Sequence, residues 1–322
     1  MRNFEQVIEE VYPTLQALEH DRAVYINKKS NCIWGVIVPV MVCAGVAAMV
    51  FFPFGIVALI PGGIASAVAW HFMAGKYGNA YIRSYKQTVI EKLANLIDPG
   101  LHYDQQRGID SRYFVASELF TSRPDRYNTE DLIYGEFAKT GLQLGELHAE
   151  DRRTSTDSKG NTRTHYVTIF KGLMLIADFH KHFHGRTFVL PDVAEKTFGG
   201  FGRALQKLGG RSGTELVQLE DTEFEKSFAV YSTDQVEARY ILSPAMMRRL
   251  LDMRNRFGKD VRIAFKDSCV WIAVPHTSTY LEPDTKVEAT DRVQIGKMMD
   301  EISLFLNVIE ELDLNTRIWT KV

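Results

Sequence analysis

The stretch SNCIWGVIVPVMVCAGVAAMVFFPFGIVALIPGGIASAVAWHFMAG, running from Ser30 to Gly75, decides the architecture of this chain. Across these 46 residues there is no Asp, Glu, Lys or Arg, and His71 is the one imidazole. At about 1.5 Å of rise per residue, a helix of about 20 residues crosses the roughly 30 Å hydrocarbon layer of a bilayer. The stretch therefore fits two crossings, broken where Pro53-Phe54-Gly55 punctuates the helix and reverses the chain. The expected spans are about Asn31 to Phe52 and about Gly55 to Ala74. Helices are the economical choice because lipid offers no partner to a backbone amide. A pair of core helices in a soluble protein would carry a polar stripe, and none is present. A hairpin dipping into one leaflet is the alternative, since Pro39, Pro53 and Pro61 each interrupt a helix.

The flanks give an orientation. Arg22, Lys28 and Lys29 precede the first span, Lys76, Arg83 and Lys86 follow the second, and the turn between them is uncharged. Positive flanks stay on the cytoplasmic side, so both termini are expected in the cytoplasm. Trp34, Trp70, Phe72 and Tyr77 stand where interfacial aromatics belong. The small residues Gly45, Ala47, Ala48, Gly62, Gly63, Ala65, Ser66 and Ala69 are expected to let the two helices approach closely.

Outside the apolar stretch the periodicity becomes amphipathic. Phe4, Val7, Ile8, Val11, Leu15, Leu18, Arg22 and Tyr25 recur at three- and four-residue spacing, which predicts a helix over Asn3 to Lys28 with a kink at Pro13. Tyr77, Tyr81, Ser84, Ile90, Leu93 and Ile97 predict a second helix, stopped by Asp98-Pro99-Gly100. Leaving the same membrane face side by side, the two would form a cytoplasmic helical stalk. Their stripes would bury against each other, or against further copies of the chain. Acids at Glu5, Glu9, Glu10, Glu19 and Asp21, with no short apolar core ahead of them, argue against a secretory signal.

The remaining chain is polar enough to be soluble and long enough to bury its own core. A formal net charge of -2 over 322 residues gives no electrostatic case for nucleic acid. Cys32, Cys43 and Cys269 lack metal-ligand spacing, are too few for a disulfide framework, and fit small buried apolar roles in a reducing compartment.

From Leu101 the pattern turns to mixed α+β. Leu142 to Asp151 and Thr164 to Phe179 read as a long β-hairpin around a polar turn tipped by Lys159-Gly160-Asn161, the second arm being either one long strand or two strands broken at Lys171-Gly172. Further strands are expected at Thr187 to Leu190, Glu215 to Leu219, Phe228 to Ser232, Gln235 to Leu242, Val261 to Phe265 and Cys269 to Val274. Ser243-Pro244 starts a helix that Gly258 ends. A last helix, about Thr290 to Leu312, carries the apolar stripe Ile295, Met298, Ile302, Phe305, Ile309 and Leu312. Hairpins with helices at their edges predict a mainly antiparallel sheet. The expected organisation is a membrane anchor and stalk over 1–98, then a cytoplasmic α+β domain over 99–322.

Candidate chemistry is thin. In an extended segment His180, His182 and His184 would share one face and could meet a metal, but no further ligand can be named. Gly199-Gly200-Phe201-Gly202-Arg203 lacks the lysine and hydroxyl of a phosphate-binding loop. Glu220, Asp221, Glu223 and Glu225 cluster at a strand-to-helix turn, where acids oppose the helix dipole. Arg248, Arg249, Arg254, Arg256 and Lys259 lie in and after the Ser243 helix, and would face solvent, anionic headgroups or an acidic partner. No nucleophile elbow, zinc-protease helix or kinase set is present. The sequence thus names no catalytic residue and no cofactor.

Phe170-Lys171-Gly172-Leu173, Gly185-Arg186-Thr187 leading to Pro191-Asp192, and the block Leu219 to Leu251 together resemble a family of bacterial membrane proteins catalogued as domain of unknown function 3137. That block contains Glu223-Phe224-Glu225-Lys226, Val230-Tyr231-Ser232, Asp234-Gln235 and Glu237-Ala238-Arg239-Tyr240-Ile241-Leu242. The resemblance implies a similar N-terminal hydrophobic hairpin and a bacterial inner-membrane setting, and it transfers no activity. The sequence-based expectation is a non-enzymatic, membrane-anchored interaction or scaffold module, self-associating or bound to another membrane protein. The alternatives are a membrane-proximal metal-dependent enzyme and a sensor of anionic lipid.

Overall fold

The computed structural model describes residues 4–50, 52, 57, 59–156, 162–178, 184–191, 213–276 and 280–312. They fall into two compact units, Met1–Leu96 with Leu281–Met299, and Ile97–Tyr280 with Asp300–Val322.

The first unit is built on two long helices. One comprises α1 (Phe4–Cys32), a π-helical turn at Ile33–Ile37 and α2 (Val38–Val50). The other comprises α3 (Leu59–Trp70), a π turn at His71–Gly75, α4 (Lys76–Tyr85), a further π turn at Lys86–Ile90 and α5 (Glu91–Ile97). They run antiparallel: a Cβ built on Gly62 would lie 3.0 Å from the Ala44 Cβ, and one on Gly78 would lie 2.8 Å from the Tyr25 ring. Close approach is thus achieved at Ala44, Gly62 and Gly78, whereas Gly45 and Gly63 have nothing within 4 Å. Of the small residues expected at the helix contact, Gly62 makes it and Gly45 and Gly63 do not. The turn at Pro53-Phe54-Gly55 lies outside the described residues.

Beyond the apolar stretch the stripes meet. Ile8, Val11, Leu15, Leu18, Tyr25 and Cys32 are buried on one helix, and Ala74, Tyr81, Tyr85, Val89, Ile90 and Leu93 on the other. Tyr77, expected in the second stripe, is 40% exposed; Gly78 takes its place. Segment 281–299 completes this unit through polar ties. Glu19 accepts from the Arg22 guanidinium at 2.7 and 2.9 Å and from the Ala289 N–H at 2.7 Å, while Arg22 donates to the Thr285 carbonyl at 3.2 Å. Lys86, almost wholly buried, pairs with Glu282, and Gln294 donates to the Tyr85 hydroxyl.

The second unit is organised by one nine-stranded sheet. Its strands are β1 (Leu101–Asp104), β2 (Arg126–Phe137), β3 (Thr140–Thr156), β4 (Thr162–Asp178), β5 (Thr187–Pro191), β6 (Glu215–Val217), β7 (Phe228–Ser232), β8 (Arg262–Lys266) and β9 (Cys269–Pro275). They lie in the order β1-β2-β3-β4-β9-β8-β5-β7-β6, and every pair is antiparallel. The long β3–β4 hairpin expected from the sequence forms, with its tip outside the described residues. Of the two alternatives for the second arm, the single long strand forms, with no break at Lys171-Gly172. The strand continues through Gly172, where a Cβ would come within 2.1 Å of the Val274 carbonyl oxygen of β9, so glycine is what lets the two strands pair there.

The sequence reading missed β1 and β2. The first half of β2, Arg-Tyr-Asn-Thr-Glu-Asp, is polar, and a bulge between Glu130 and Ile133 interrupts its period of two. At the bulge Asp131 adopts φ 58° and is buried, and its carboxylate takes the Tyr103 hydroxyl of β1.

The expected strand at Gln235 to Leu242 is a helix instead, α8 (Gln235–Ile241), which follows the short helices α6 (Ser111–Ala116) and α7 (Thr222–Glu225). Asp234 decides it, accepting from the N–H groups of Val236 and Glu237 at 2.8 and 2.9 Å as an N-cap. Ala238 and Ile241, three apart, then form its buried face. Helix α9 (Pro244–Phe257) starts and stops as expected, with Ser243 as N-cap and Gly258 at φ 108°. Helix α10 (Arg292–Glu311) buries the whole expected stripe from Ile295 to Ile309. Phe114, Leu147, Phe170, Met174, Phe188 and Trp271 lie at the heart of the sheet's core. From Gly172 to Ala177 β4 is buried at every position, so both faces of the sheet are covered there.

Two outcomes follow for stability. Gly172→Ala should destabilise the sheet by about 1–3 kcal/mol or more, because the new methyl has rigid backbone to displace. Gly141→Ala, where nothing lies within 4 Å, should stay within about 0.5 kcal/mol. Thermal unfolding of the detergent-solubilised chain reads both. The Arg22 hydrogen bonds hold the Glu19 carboxyl below its ordinary value of 4.5. Its stabilisation should therefore be complete above that value and fall away as the pH drops through the depressed one. Glu19→Gln should flatten that part of the pH–stability curve.

Candidate functional site

Among the described residues the sequence candidates do not converge. Strand β4 ends at Asp178, and His180 and His182 lie outside the described residues. His184 is exposed; its own N–H and that of Gly185 donate to the two oxygens of the Glu237 carboxylate, each at 2.8 Å. Among the described residues no three His, Cys, Asp or Glu side chains are grouped to hold a metal ion. Gly199 to Arg203 also fall outside the described residues.

The acidic turn serves local structure. Asp221 caps α7 through the N–H groups of Glu223 and Phe224, each at 3.0 Å, and Glu225 accepts from the Leu219 N–H at 2.8 Å. The basic set on α9 is split. Arg254 lies over the Phe228 ring at 5.8 Å. Arg249 and Arg256 share a shallow cleft with Asp252, Asn255 and Glu310, so its cations face carboxylates.

A larger cleft, of about 740 Å³, opens beside β4. That volume falls within the roughly 300–1,000 Å³ of ligand sites. Thr168 to Lys171 of β4 form one wall, and Phe257 to Asp260, where α9 ends, form another. Arg262 at the start of β8, Pro275 and His276 at the end of β9, and Phe120 complete it. Its floor is aromatic: the Phe120 ring stacks on Phe114 at 4.7 Å and tilts against Phe170 at 4.9 Å.

Phe120 is held there by ties reaching far along the chain. The Lys266 ammonium, buried at the end of β8, donates to the Ala116 carbonyl at 2.7 Å and to Glu118 at 2.6 Å. Arg186 takes the second Glu118 oxygen at 2.9 Å. Arg262 donates to the Leu119 carbonyl at 3.1 Å and lies 4.9 Å over the Phe120 ring. Segment 116–120 is thus fastened to β8 on both sides of Glu118, itself at φ 55°.

The lining carries three cations, Lys171, Lys259 and Arg262, against one carboxylate, Asp260. Burial draws the His276 imidazole below its usual value, which leaves it neutral near pH 7, and its ring meets Tyr280 edge-on at 4.0 Å. Burial also pushes the Tyr280 phenol up to about 12. The cleft is therefore cationic and aromatic. The sequence marks Lys259 only as part of the helix charge, and Lys171 only as a candidate strand break and a member of the family motif Phe170-Lys171-Gly172-Leu173. Phe120 and Arg262 carried no local signal, because tertiary contacts alone bring them together.

The backbone adds a further feature. Strand β9 pairs with β4 only from Gly172 onward, and the His276 N–H reaches the Lys171 carbonyl. Among the described residues, no strand lies on the β9 side of β4 between Thr162 and Phe170. The β3–β4 register slips between Ala149 and Glu150, leaving Ile169 without an opposite number in the wall of the cleft.

No curated protein matches the chain. Among solved structures, the crystal structure of the mycobacterial trehalose monomycolate transport factor A, TtfA, is similar over 71% of this chain and 96% of that one. Its TM-score is 0.36 and its identity 10%, a likeness too slight to carry an argument. Residues 168–314, from the cleft wall in β4 through α10, match the family described as "Protein of unknown function (DUF3137)", the family that the motifs between Phe170 and Leu251 resemble.

Proposed function

We propose that this protein is a membrane-tethered, non-catalytic interaction module of the bacterial inner membrane. In this reading α2 and α3 cross the bilayer as a hairpin, both termini lie in the cytoplasm, and the amphipathic parts of the two long helices form a stalk. The sheet unit binds a partner protein or a second copy.

The observation that carries the reading is the surface of the hairpin. The helix Ile8–Val50 is long and apolar enough to cross a membrane, and only 6% of its most apolar window is buried. Met49 is 84% exposed, and Val42, Val46, Phe52, Ile60, Ile64 and Val68 are exposed as well. A contiguous apolar surface of this kind calls for lipid or protein to cover it. Trp34, Phe72 and Tyr77 sit near the charged border, and the Lys28 ammonium lies 5.5 Å over the Tyr77 ring, a pairing suited to a headgroup layer. A role in self-association is supported by Gly45 and Gly63, which open onto free space and would admit a second hairpin closely.

The full-length chain should stay in the membrane pellet through alkaline carbonate washing and leave only with detergent. A reporter after Val322 should be cytoplasmic. Val46→Arg combined with Ile64→Arg places a charge in each span, at about 2.5–3.5 kcal/mol apiece, and should divert most of the protein from the membrane. Recovery of the wild type in the soluble fraction, or a C-terminal reporter outside the cell, would sink the proposal. Cross-linking in nanodiscs should trap dimers or larger species that Gly45→Leu with Gly63→Leu reduces severalfold. A wild-type chain that stays monomeric removes the self-association.

A further inference from the structure

We infer that the cleft beside β4 takes an extended acidic peptide segment of a partner protein, added as a strand to the β4 edge. This deepens the proposed role as an interaction module and rests on it. Three observations converge. First, β4 outruns β9, so the edge between Thr162 and Phe170 has no neighbouring strand among the described residues on the side away from β3. An exposed sheet edge is a template for main-chain pairing, the basis of strand addition. Second, Thr168 to Lys171 of that edge are themselves a wall of the cleft, so a paired strand would lie in it. The unmatched Ile169 marks a bulge at this point, a feature that bends a strand and ends pairing at functional edges.

Third, the lining specifies the guest. Lys171, Lys259 and Arg262 against Asp260 leave an excess of positive charge, which favours carboxylate side chains. The aromatic floor of Phe120, Phe170 and Phe257 offers a seat for one large apolar side chain between them. Alternate residues of a strand point to opposite faces, so an acidic segment with a central aromatic residue presents both chemistries at once. The β6 edge, by contrast, is short and partly occupied by side chains. There the Gln235 amide donates to the Leu216 carbonyl at 3.0 Å, and Arg239 donates to the Gln218 carbonyl just past the strand at 3.4 Å.

The test uses the full-length protein in nanodiscs of neutral phosphatidylcholine. The probe is a fluorescein-labelled heptapeptide of sequence EDEFEDE, followed by anisotropy. Saturable binding is expected, weakened at least about tenfold by Lys171→Glu with Lys259→Glu, both exposed. A peptide with alternate backbone amides methylated on one edge should bind at least about tenfold more weakly, since it cannot complete a ladder. The lysine counterpart KKKFKKK should not bind. Four results would overturn the inference: no binding of the acidic peptide, equal binding of the lysine peptide, indifference to backbone methylation, or indifference to the charge reversals. Phosphatidylglycerol vesicles that displace the peptide, in a manner abolished by the same reversals, would assign the cleft to lipid headgroups instead. Incorporation into nanodiscs is read on the same sample, so a chain that incorporates but does not bind refutes the cleft assignment alone.

Discussion

The constraint on which everything else depends is the backbone of residues 30–75. A stretch with no ionised side chain cannot keep its peptide groups in water and its side chains out of it, so each N–H and C=O has to find a partner within the chain. Long helices satisfy that demand, and here they extend well past the apolar stretch on both sides. That length sets the geometry of the first unit. Two helices running antiparallel over more than thirty residues each keep one register, and the small residues at Ala44, Gly62 and Gly78 hold them close at widely separated levels. The π turns at Ile33–Ile37 and His71–Gly75 sit where the apolar stretch gives way to the amphipathic one, and each adds a residue to the local turn. The buried stripe steps accordingly, and Gly78 rather than Tyr77 faces the partner helix.

The sheet unit solves a different problem. A nine-stranded antiparallel sheet has two edges, and here it also has an interior strand longer than its neighbour. The β6 edge is short, and the Leu216 carbonyl and that of Gln218 just past it receive side chains, which is a usual defence against unwanted pairing. The overhang of β4 is left as an edge beside a cleft whose floor is aromatic and whose rim is cationic. Rigid support lies behind it: the Lys266–Glu118–Arg186 ties pin the segment that carries Phe120, and Gly172 lets β9 approach until its last pair. A surface so supported is suited to recognition, because little of it has to be ordered when a guest arrives.

Much of this was legible in the chain. Caps and breakers announced α9 without ambiguity, since Ser243 and Pro244 satisfy or remove the orphan donors of a helix start and Gly258 tolerates the positive φ of its end. The stripe of α10 was equally plain. Where reading failed, a local signal competed with another. Gln235 to Leu242 has the β-branched and aromatic content of a strand, but Asp234 offers two backbone N–H groups a partner only if the chain turns helical. Strand β2 was hidden by its own bulge, whose buried Asp131 breaks the alternation to meet Tyr103.

By itself, then, the sequence determined the apolar hairpin-length stretch, the two amphipathic continuations, the mixed α+β character of the remainder, and the start and stop of its principal helices. These are properties of neighbours in the chain: charge content, three-to-four spacing, capping side chains and glycine at a positive φ. Only the tertiary structure decided the strand order, the overhang of β4 and the cleft. Phe120, Lys171, Lys259 and Arg262 are drawn from separate elements, and no periodicity relates them. They meet because β8 and β9 return between β4 and β5 and carry the end of α9 with them. Such a meeting is fixed by which strands pair, a choice made by long-range burial and hydrogen bonding rather than by any residue's immediate neighbours.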